Sequence, residues 1–307
     1  MSRIRIATRE SQLALWQANE VSRLLSIHHP NIEVEIIGMT TEGDRFLQAS
    51  LAAAGGKGLF VKELEQCLLD NSADIAVHSM KDVPYELPAS LEIHAILERE
   101  DPRDAFVSNK YKTLDELPAN AIVGTSSTRR ECQIRAIRGD LNIQPLRGNV
   151  NTRLKKLDNG EYDAIILASA GLKRLGFEDR IAALIETDTS LPAIGQGAIG
   201  IECRDNDTAT REILAPLHHE ATSLSVIAER GISTALSANC HLPIAAHATQ
   251  SIDTLTLRAL VGLPDGSKIV HASATGPHDE IAQVIQQVVN ELVEQGANEL
   301  VDSLREE

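Results

Sequence analysis

The chain has 307 residues, 43% of them hydrophobic, and a formal net charge of −15. That length exceeds one ordinary core and fits two or three domains, and the composition excludes a disordered chain. The acidity opposes general binding to nucleic acid or anionic membranes, and no segment approaches the ~20 apolar residues of a membrane span.

In chain order, Arg3-Ile4-Arg5-Ile6-Ala7 reads as a strand, and Ser11 opens an amphipathic helix through Leu25 that Pro30 stops. The chain enters that first strand directly from Met1-Ser2, which leaves no room for a secretory signal. Ile32 to Ile37 is a second strand. The Gly-rich segment Ala54 to Gly58 leads into a helix from Leu59 to Leu69, and Asp74 to Val77 is a third strand ending in His78-Ser79-Met80-Lys81-Asp82. Strands separated by helices predict a parallel sheet with helices on both faces.

A second unit repeats the pattern. Ala121 to Gly124 is a strand, Thr125-Ser126-Ser127 sits where a helix begins, and Ile143 to Leu146 is a strand followed by Arg147-Gly148-Asn149 and a helix from Thr152 to Leu157. Ala164 to Ala168 closes the set. Two linking segments, Arg99 to Asp104 and Leu191 to Gly197, bracket this unit, and the apolar strand Ala198 to Ile201 is placed to return to the first sheet. From His218 onward a helix (Ala221 to Leu236) precedes Cys240, and two alternating strands, Leu255 to Leu260 and Lys268 to His271, flank a turn at Leu263 to Gly266. A helix from Ile281 to Leu292 follows. The expected fold is α/β: domain 1 from residues 1–98 and 198–216, domain 2 from 103–192, two crossovers with a cleft between the pair, and a small α+β domain 3 over 218–307.

Ligands in open α/β sheets bind beyond the carboxyl ends of the strands. Here those ends carry Thr8-Arg9 and Ser11, then Lys81-Asp82, then Thr125 to Ser127, Arg147-Gly148, and Lys173-Arg174. Between Thr125 and Lys156 eight basic residues face only two acids, Glu131 and Asp140, a local reversal in an acidic protein. Hydroxyls at helix starts beside arginines favour small anions, carboxylates or phosphates. Each serine alone reads as a helix cap; the set at successive strand ends reads as an anion site. In such a cationic setting Asp82 can steady a transient cation or move a proton, although a lone Asp before Val83-Pro84 also suits a turn.

Four cysteines form no C-x-x-C pair, which argues against a zinc cage and a disulfide framework; no metal site is expected. A reducing cytosol is the simplest setting. Cys67 and Cys203 read as core thiols and Cys132 is open to either reading. Cys240, in a polar loop beside His241, is the best nucleophile candidate.

Several segments resemble the porphobilinogen deaminase family in order. They are Ile6-Ala7-Thr8-Arg9 with Ser11, Gly55 to Phe60, Asp74 to Pro84, Arg99 to Ala105, Gly124 to Arg130, Leu146 to Val150, and Leu191 to Gly197. The resemblance implies two domains similar to periplasmic binding proteins and a smaller third. It also implies one dipyrromethane cofactor per chain in thioether linkage to Cys240. Asp82 would be the catalytic carboxylate. Lys81, Thr125, Ser127, Arg129, Arg130, Arg147 and Gly148 would hold the cofactor. Arg9, Ser11, Phe60, Arg147, Arg153 and Arg174 would hold porphobilinogen and the growing polypyrrole, with Phe60 stacked on the incoming ring. The sequence departs from the family around the thiol, with Ala238-Asn239 where two glycines are usual and His241 where Gln is usual.

The implied product is hydroxymethylbilane, made in a cytoplasmic monomer that contacts neither nucleic acid nor membrane. The alternative is a non-enzymatic two-domain receptor or sensor for a small carboxylate, which needs neither Cys240 nor Asp82. A nucleic-acid binder is disfavoured by the acidity and by only eight aromatic residues.

Overall fold

The computed structural model describes residues 3–45, 61–237 and 242–304. The chain divides into two compact units, Met1–Glu100 with Ala198–Ser223, and Asp101–Gly197 with Leu224–Glu307.

The first unit starts with β1 (Arg3–Arg9), in which arginines alternate with fully buried Ile4 and Ile6. Ser11 caps α1 (Gln12–His28) by accepting from the Ala14 amide at 3.3 Å. Ala14, Ala18, Val21 and Leu25 form one stripe of α1, and the last three pack on Ile4, Ile6, Ile75 and Val77. Each large aliphatic side chain so buried contributes about 1.5–3 kcal/mol. β2 (Glu33–Met39) leads to the short α2 (Glu42–Arg45), and α3 (Lys62–Leu69) covers the other face with Leu64 and Leu68 on Ala7, Ala76 and Leu91. β3 (Ile75–Ser79) ends in a 3₁₀ turn, Met80–Asp82, before β4 (Leu91–Ile96).

The second unit holds β5 (Asp104–Val107), β6 (Ile122–Gly124), α4 (Thr128–Ile137), β7 (Asn142–Gln144), α5 (Val150–Asp158), β8 (Ala164–Ala168), α6 (Ser169–Arg174) and β9 (Ala183–Ile185). Phe106, Val123, Ile143 and Ile166 meet Ile134 of α4 on one face of this sheet, and Val107, Ile165 and Leu167 meet Leu154 and Leu157 of α5 on the other. The chain then contributes β10 (Ile199–Arg204) to the first sheet and continues into α7 (Thr208–Leu214).

The strand orders are β2-β1-β3-β10-β4 and β7-β6-β8-β5-β9. Each sheet therefore runs second, first, third, then the strand that follows a crossover, then fourth. The expectation of all-parallel sheets is corrected: β10 is antiparallel to β3 and β4, and β5 is antiparallel to β8 and β9. Both reversed strands enter from a crossover segment. No preceding helix on the same sheet brings them back to the parallel starting edge.

The remainder is a small α+β layer. α8 (Glu220–Ala235), α9 (Ile281–Glu294) and α10 (Ala297–Ser303) pack on an antiparallel sheet of β11 (Ile244–Gln250), β12 (Thr254–Gly262) and β13 (Ile269–Pro277). Leu255, Leu257, Ala259 and Val261 lie at alternate positions of β12, and their shared face meets Ile232, Val284, Val288 and Leu292. Gly262, at the end of β12, lies against Cys132 Sγ of α4, which seats this layer on the second unit's first sheet. No helix among the described residues is long and apolar enough to cross a membrane.

Candidate active site

In the first unit, β1 and β3 are parallel neighbours, so Arg9 with Ser11 and the Met80–Asp82 turn emerge at the same sheet edge. Gln17 of α1 ties the two together, its Nε2 donating to Ser79 Oγ at 2.8 Å. The turn is pegged by apolar groups. Met80 is 1% exposed, its amide donates to the Ala198 carbonyl at 3.0 Å, and its side chain lies over Gly200 of β10, where any Cβ would collide with Met80 Sδ. Val83 is buried as well, while Lys81 and Asp82 between these pegs are half-buried. The sequence thus supplies two apolar anchors that hold a Lys-Asp pair at the surface of the sheet edge.

In the second unit, parallel β6, β7 and β8 bring Thr125 to Arg130, Arg147 to Arg153, and α6 to one edge. Thr125 is buried, and its Oγ1 accepts from the Ser127 amide at 3.2 Å. Ser127 caps α4 by accepting from the Arg130 amide at 3.4 Å, and Ser126 Oγ donates to the Leu146 carbonyl at 2.9 Å. Gly148 stands at φ +112°, in the region that favours glycine, and its carbonyl accepts from Arg153 Nε at 2.7 Å. Arg174 Nη2 donates to the Gly197 carbonyl at 2.7 Å.

Arg129 and Arg130, expected to line an open cleft, are instead only 4% and 6% exposed, around the fully buried Asp104. Arg130 Nε and Nη2 donate to Asp104 Oδ1 at 3.0 and 2.7 Å, and Nη1 donates to the Ile166 carbonyl at 3.1 Å. Arg129 Nη2 lies 2.9 Å from Asp104 Oδ2, and Nη1 donates to the Leu191 carbonyl. Gln196 Nε2 adds bonds to Asp104 Oδ1 at 2.9 Å and to the Pro102 carbonyl at 2.6 Å. Burial alone would raise the Asp104 carboxyl, but the two guanidiniums hold it far below the usual carboxylate range. Burial pulls Arg129 down, with Asp104 opposing that shift.

The cluster is two cations against one anion, in the first turn of a helix whose N-terminal dipole is itself positive. Arg129 Nε has no hydrogen-bond partner among the described residues. A buried surplus of charge with an unmet donor fits a carboxylate-bearing group. Asp104 and Gln196 were absent from the sequence-based site because both fall in segments read as links. The available signal was an acid opening the apolar run Ala105-Phe106-Val107.

Phe60 and Cys240 lie outside the described residues. Of the other cysteines, Cys132 and Cys203 are buried, and burial pushes both thiols up to about 12, so neither is a ready nucleophile. Glu92, His94 and Cys203 place three possible metal ligands near one another. Arg211 Nε already sits 2.9 Å from Glu92 Oε1 and donates to His94 Nδ1 at 3.4 Å, so a guanidinium takes the place of a cation there.

A family model described as "Porphobilinogen deaminase, dipyromethane cofactor binding domain" matches residues 4–212, and one described as "Porphobilinogen deaminase, C-terminal domain" matches residues 223–294. Among solved structures, a putative methionine-binding lipoprotein from Bacillus subtilis is similar at 13% identity and TM-score 0.45, covering 72% of this chain and 92% of its own. A periplasmic substrate-binding protein of an ABC transporter from Coxiella burnetii gives 14% identity and TM-score 0.46, covering 72% and 94%. The periplasmic VFT2 domain of BvgS from Bordetella pertussis gives 16% and 0.42, covering 69% and 85%.

Proposed function

We propose that this chain, which belongs to the porphobilinogen deaminase family and matches its dipyrromethane cofactor binding domain over residues 4–212, condenses four porphobilinogen molecules head to tail on that cofactor. In this reading Cys240 holds the cofactor through a thioether, ammonia leaves at each addition, and hydrolysis finally releases hydroxymethylbilane. The observation that carries it is the buried Arg129–Arg130 pair, which opposes two positive charges to the single carboxylate of Asp104 and leaves Arg129 Nε unmet among the described residues.

When bound, the dipyrromethane supplies the nucleophilic pyrrole carbon from which the chain grows. Lys81, Thr125, Ser127, Arg129, Arg130, Arg147 and Gly148 are the residues that hold it. Arg9, Ser11, Phe60, Arg147, Arg153 and Arg174 take the carboxylates and ring of incoming porphobilinogen, since every added unit brings two more acids to neutralise. Asp82 acts at the ring nitrogen: its carboxylate steadies the positive charge that develops as ammonia departs, then accepts the proton that the attacked α-carbon loses as its ring regains aromaticity and passes it to solvent. Burial makes Cys132 and Cys203 poor attachment points. The active form is proposed to be a cytoplasmic monomer, with domains at residues 1–98 with 198–216, 103–192 and 218–307.

Intact-mass analysis of the purified wild type and of Cys240→Ser tests this reading. The wild type should carry the mass of two pyrrole rings with their side chains, and Cys240→Ser should not. An unmodified wild-type mass from cells that make porphobilinogen would overturn it and favour the carboxylate receptor.

A further inference from the structure

The layer whose sequence includes Cys240 meets α4 through glycines. Gly262 ends β12 and is buried, and a Cβ there would lie 2.5 Å from Cys132 Sγ of α4. Gly266, at φ +72° in the turn that follows, would place a Cβ 2.7 Å from the Ala136 amide nitrogen and 2.8 Å from the Cys132 carbonyl oxygen. Cys132 and Ala136 are four residues apart and share one face of the helix. The hairpin therefore rests on α4 more closely than any side chain at these two positions would allow. Cys132 serves here as a small side chain, not as a reactive thiol.

Gly262 also bears on the chain that leads from Cys240. Its amide donates to the Pro243 carbonyl at 3.1 Å. Pro243 is three residues beyond Cys240, a span of about 10 Å at full stretch. A second tie runs beside this one. Gln133, next to Cys132, accepts from the Leu191 amide at 2.6 Å and donates to its carbonyl at 3.1 Å, and Leu191 packs on Ala245 of β11 and Leu260 of β12.

We infer that Gly262 is a positioning residue for the proposed reaction. One backbone position touches α4 through its missing side chain and holds Pro243 through its amide, so it sets how far the attachment thiol can stand from the N-terminal turn of α4. The inference rests on the reading above for the thioether and for the role of α4 in holding the cofactor. A group fastened by sulfur at one point and by charge at another needs those points at a fixed spacing, since a misplacement of about 1 Å can cost on the order of 10²-fold in rate.

The test compares the full-length wild type with Gly262→Ala, with Gly262→Ala combined with Cys132→Ala, and with Gly276→Ala. The last overpacks the same layer against Val284, where a Cβ would meet Cγ2 at 2.6 Å, and makes no demand on α4. Intact mass gives the fraction of each chain that bears the adduct, and turnover is expressed per adduct-bearing chain. Gly262→Ala and Gly276→Ala should both melt lower than the wild type. Only Gly262→Ala should acquire less adduct or turn over about tenfold or more slowly, because its hairpin must back away from the helix and draw Pro243 with it. Cys132→Ala removes the obstructing sulfur and should restore most of that loss. Wild-type adduct and turnover in Gly262→Ala, an equal loss in Gly276→Ala, or no recovery in the double variant would overturn the inference. Should Gly262→Ala fail to fold, Cys132→Val presses on the same contact from the helix side and is judged against Gly276→Ala in the same way. An unmodified wild type would sink the proposed function and this inference with it, whereas an adduct with full turnover in Gly262→Ala would sink the inference alone.

Discussion

His78 Nε2 lies 2.7 Å from Glu202 Oε2, and neither residue is more than 4% exposed. His78 is on β3, one residue from the end of the strand that delivers the Met80–Asp82 turn, and Glu202 is on the antiparallel β10 beside it. Removing one member strands the other polar group in a dry interior, which costs about 3–5 kcal/mol, whereas replacing both by apolar groups of similar size is far less damaging. Urea denaturation of Glu202→Leu, His78→Leu and the double variant should show the double variant well short of the sum of the single losses. Additive losses would mean that the two side chains do not act as a pair.

Glu65 of α3 is close enough to this pair to feel the charge of Glu202. Burial, reinforced by the negative charge of Glu202, raises its carboxyl above the usual value. The folded state then binds that proton more tightly than the unfolded chain, so stability is lost as pH climbs from about 4, the unfolded value, through the raised folded value. Glu65→Gln abolishes this titration. Its urea midpoint should exceed that of the wild type at pH 7 and converge with it near pH 4; a lower midpoint at pH 7 would contradict the burial argument.

Much of this architecture is legible in the residues alone, for physical reasons. Ser11 and Ser127 announce α1 and α4 because a hydroxyl cap precedes a periodic stripe, and both accept the expected amide. β4, β5, β9 and β11 are not legible. β5 is four residues long and opens on an ionised Asp, β9 is three residues long, and β11 carries three alanines, which have little preference for strands. Strand direction was hidden too, since periodicity records which face is buried and says nothing of which way a strand runs. At the site, the arginines could be named from their company at helix starts, but their burial could not: the partner, Asp104, is 25 residues away in sequence.

Gly200 offers a test of how the sheet positions the candidate catalytic turn. A Cβ at this position would fall on Met80 Sδ, and Met80 is the buried peg of the Met80–Asp82 turn. Gly200→Ala must push Met80 aside, at the roughly 1–3 kcal/mol typical of an overpacked core, and Lys81 and Asp82 move with it. The expected result is a modest fall in thermal midpoint with a larger fall in turnover, and Met80→Ala in the same chain should recover part of both by vacating the space. Loss of stability with turnover intact would show that the turn tolerates displacement.

Asp82 stands half-buried between the buried Met80 and Val83, so replacing its carboxylate with a neutral isostere leaves the anchors of the turn in place. Asp82→Asn should therefore fold as the wild type does and keep its cofactor, since the proposed thioether and the Arg129 cluster are untouched. In the proposed reaction, what it removes is the negative charge and the proton acceptor, each exercised only once ammonia begins to leave. Groups used in that manner contribute about 10²–10⁴-fold to rate and little to ground-state binding. The expected signature is a drop of that size in kcat with KM for porphobilinogen nearly unchanged, read alongside an intact mass that still includes the adduct. A raised KM with kcat preserved would instead make Asp82 a binding group, and near-normal values of both would remove it from the reaction.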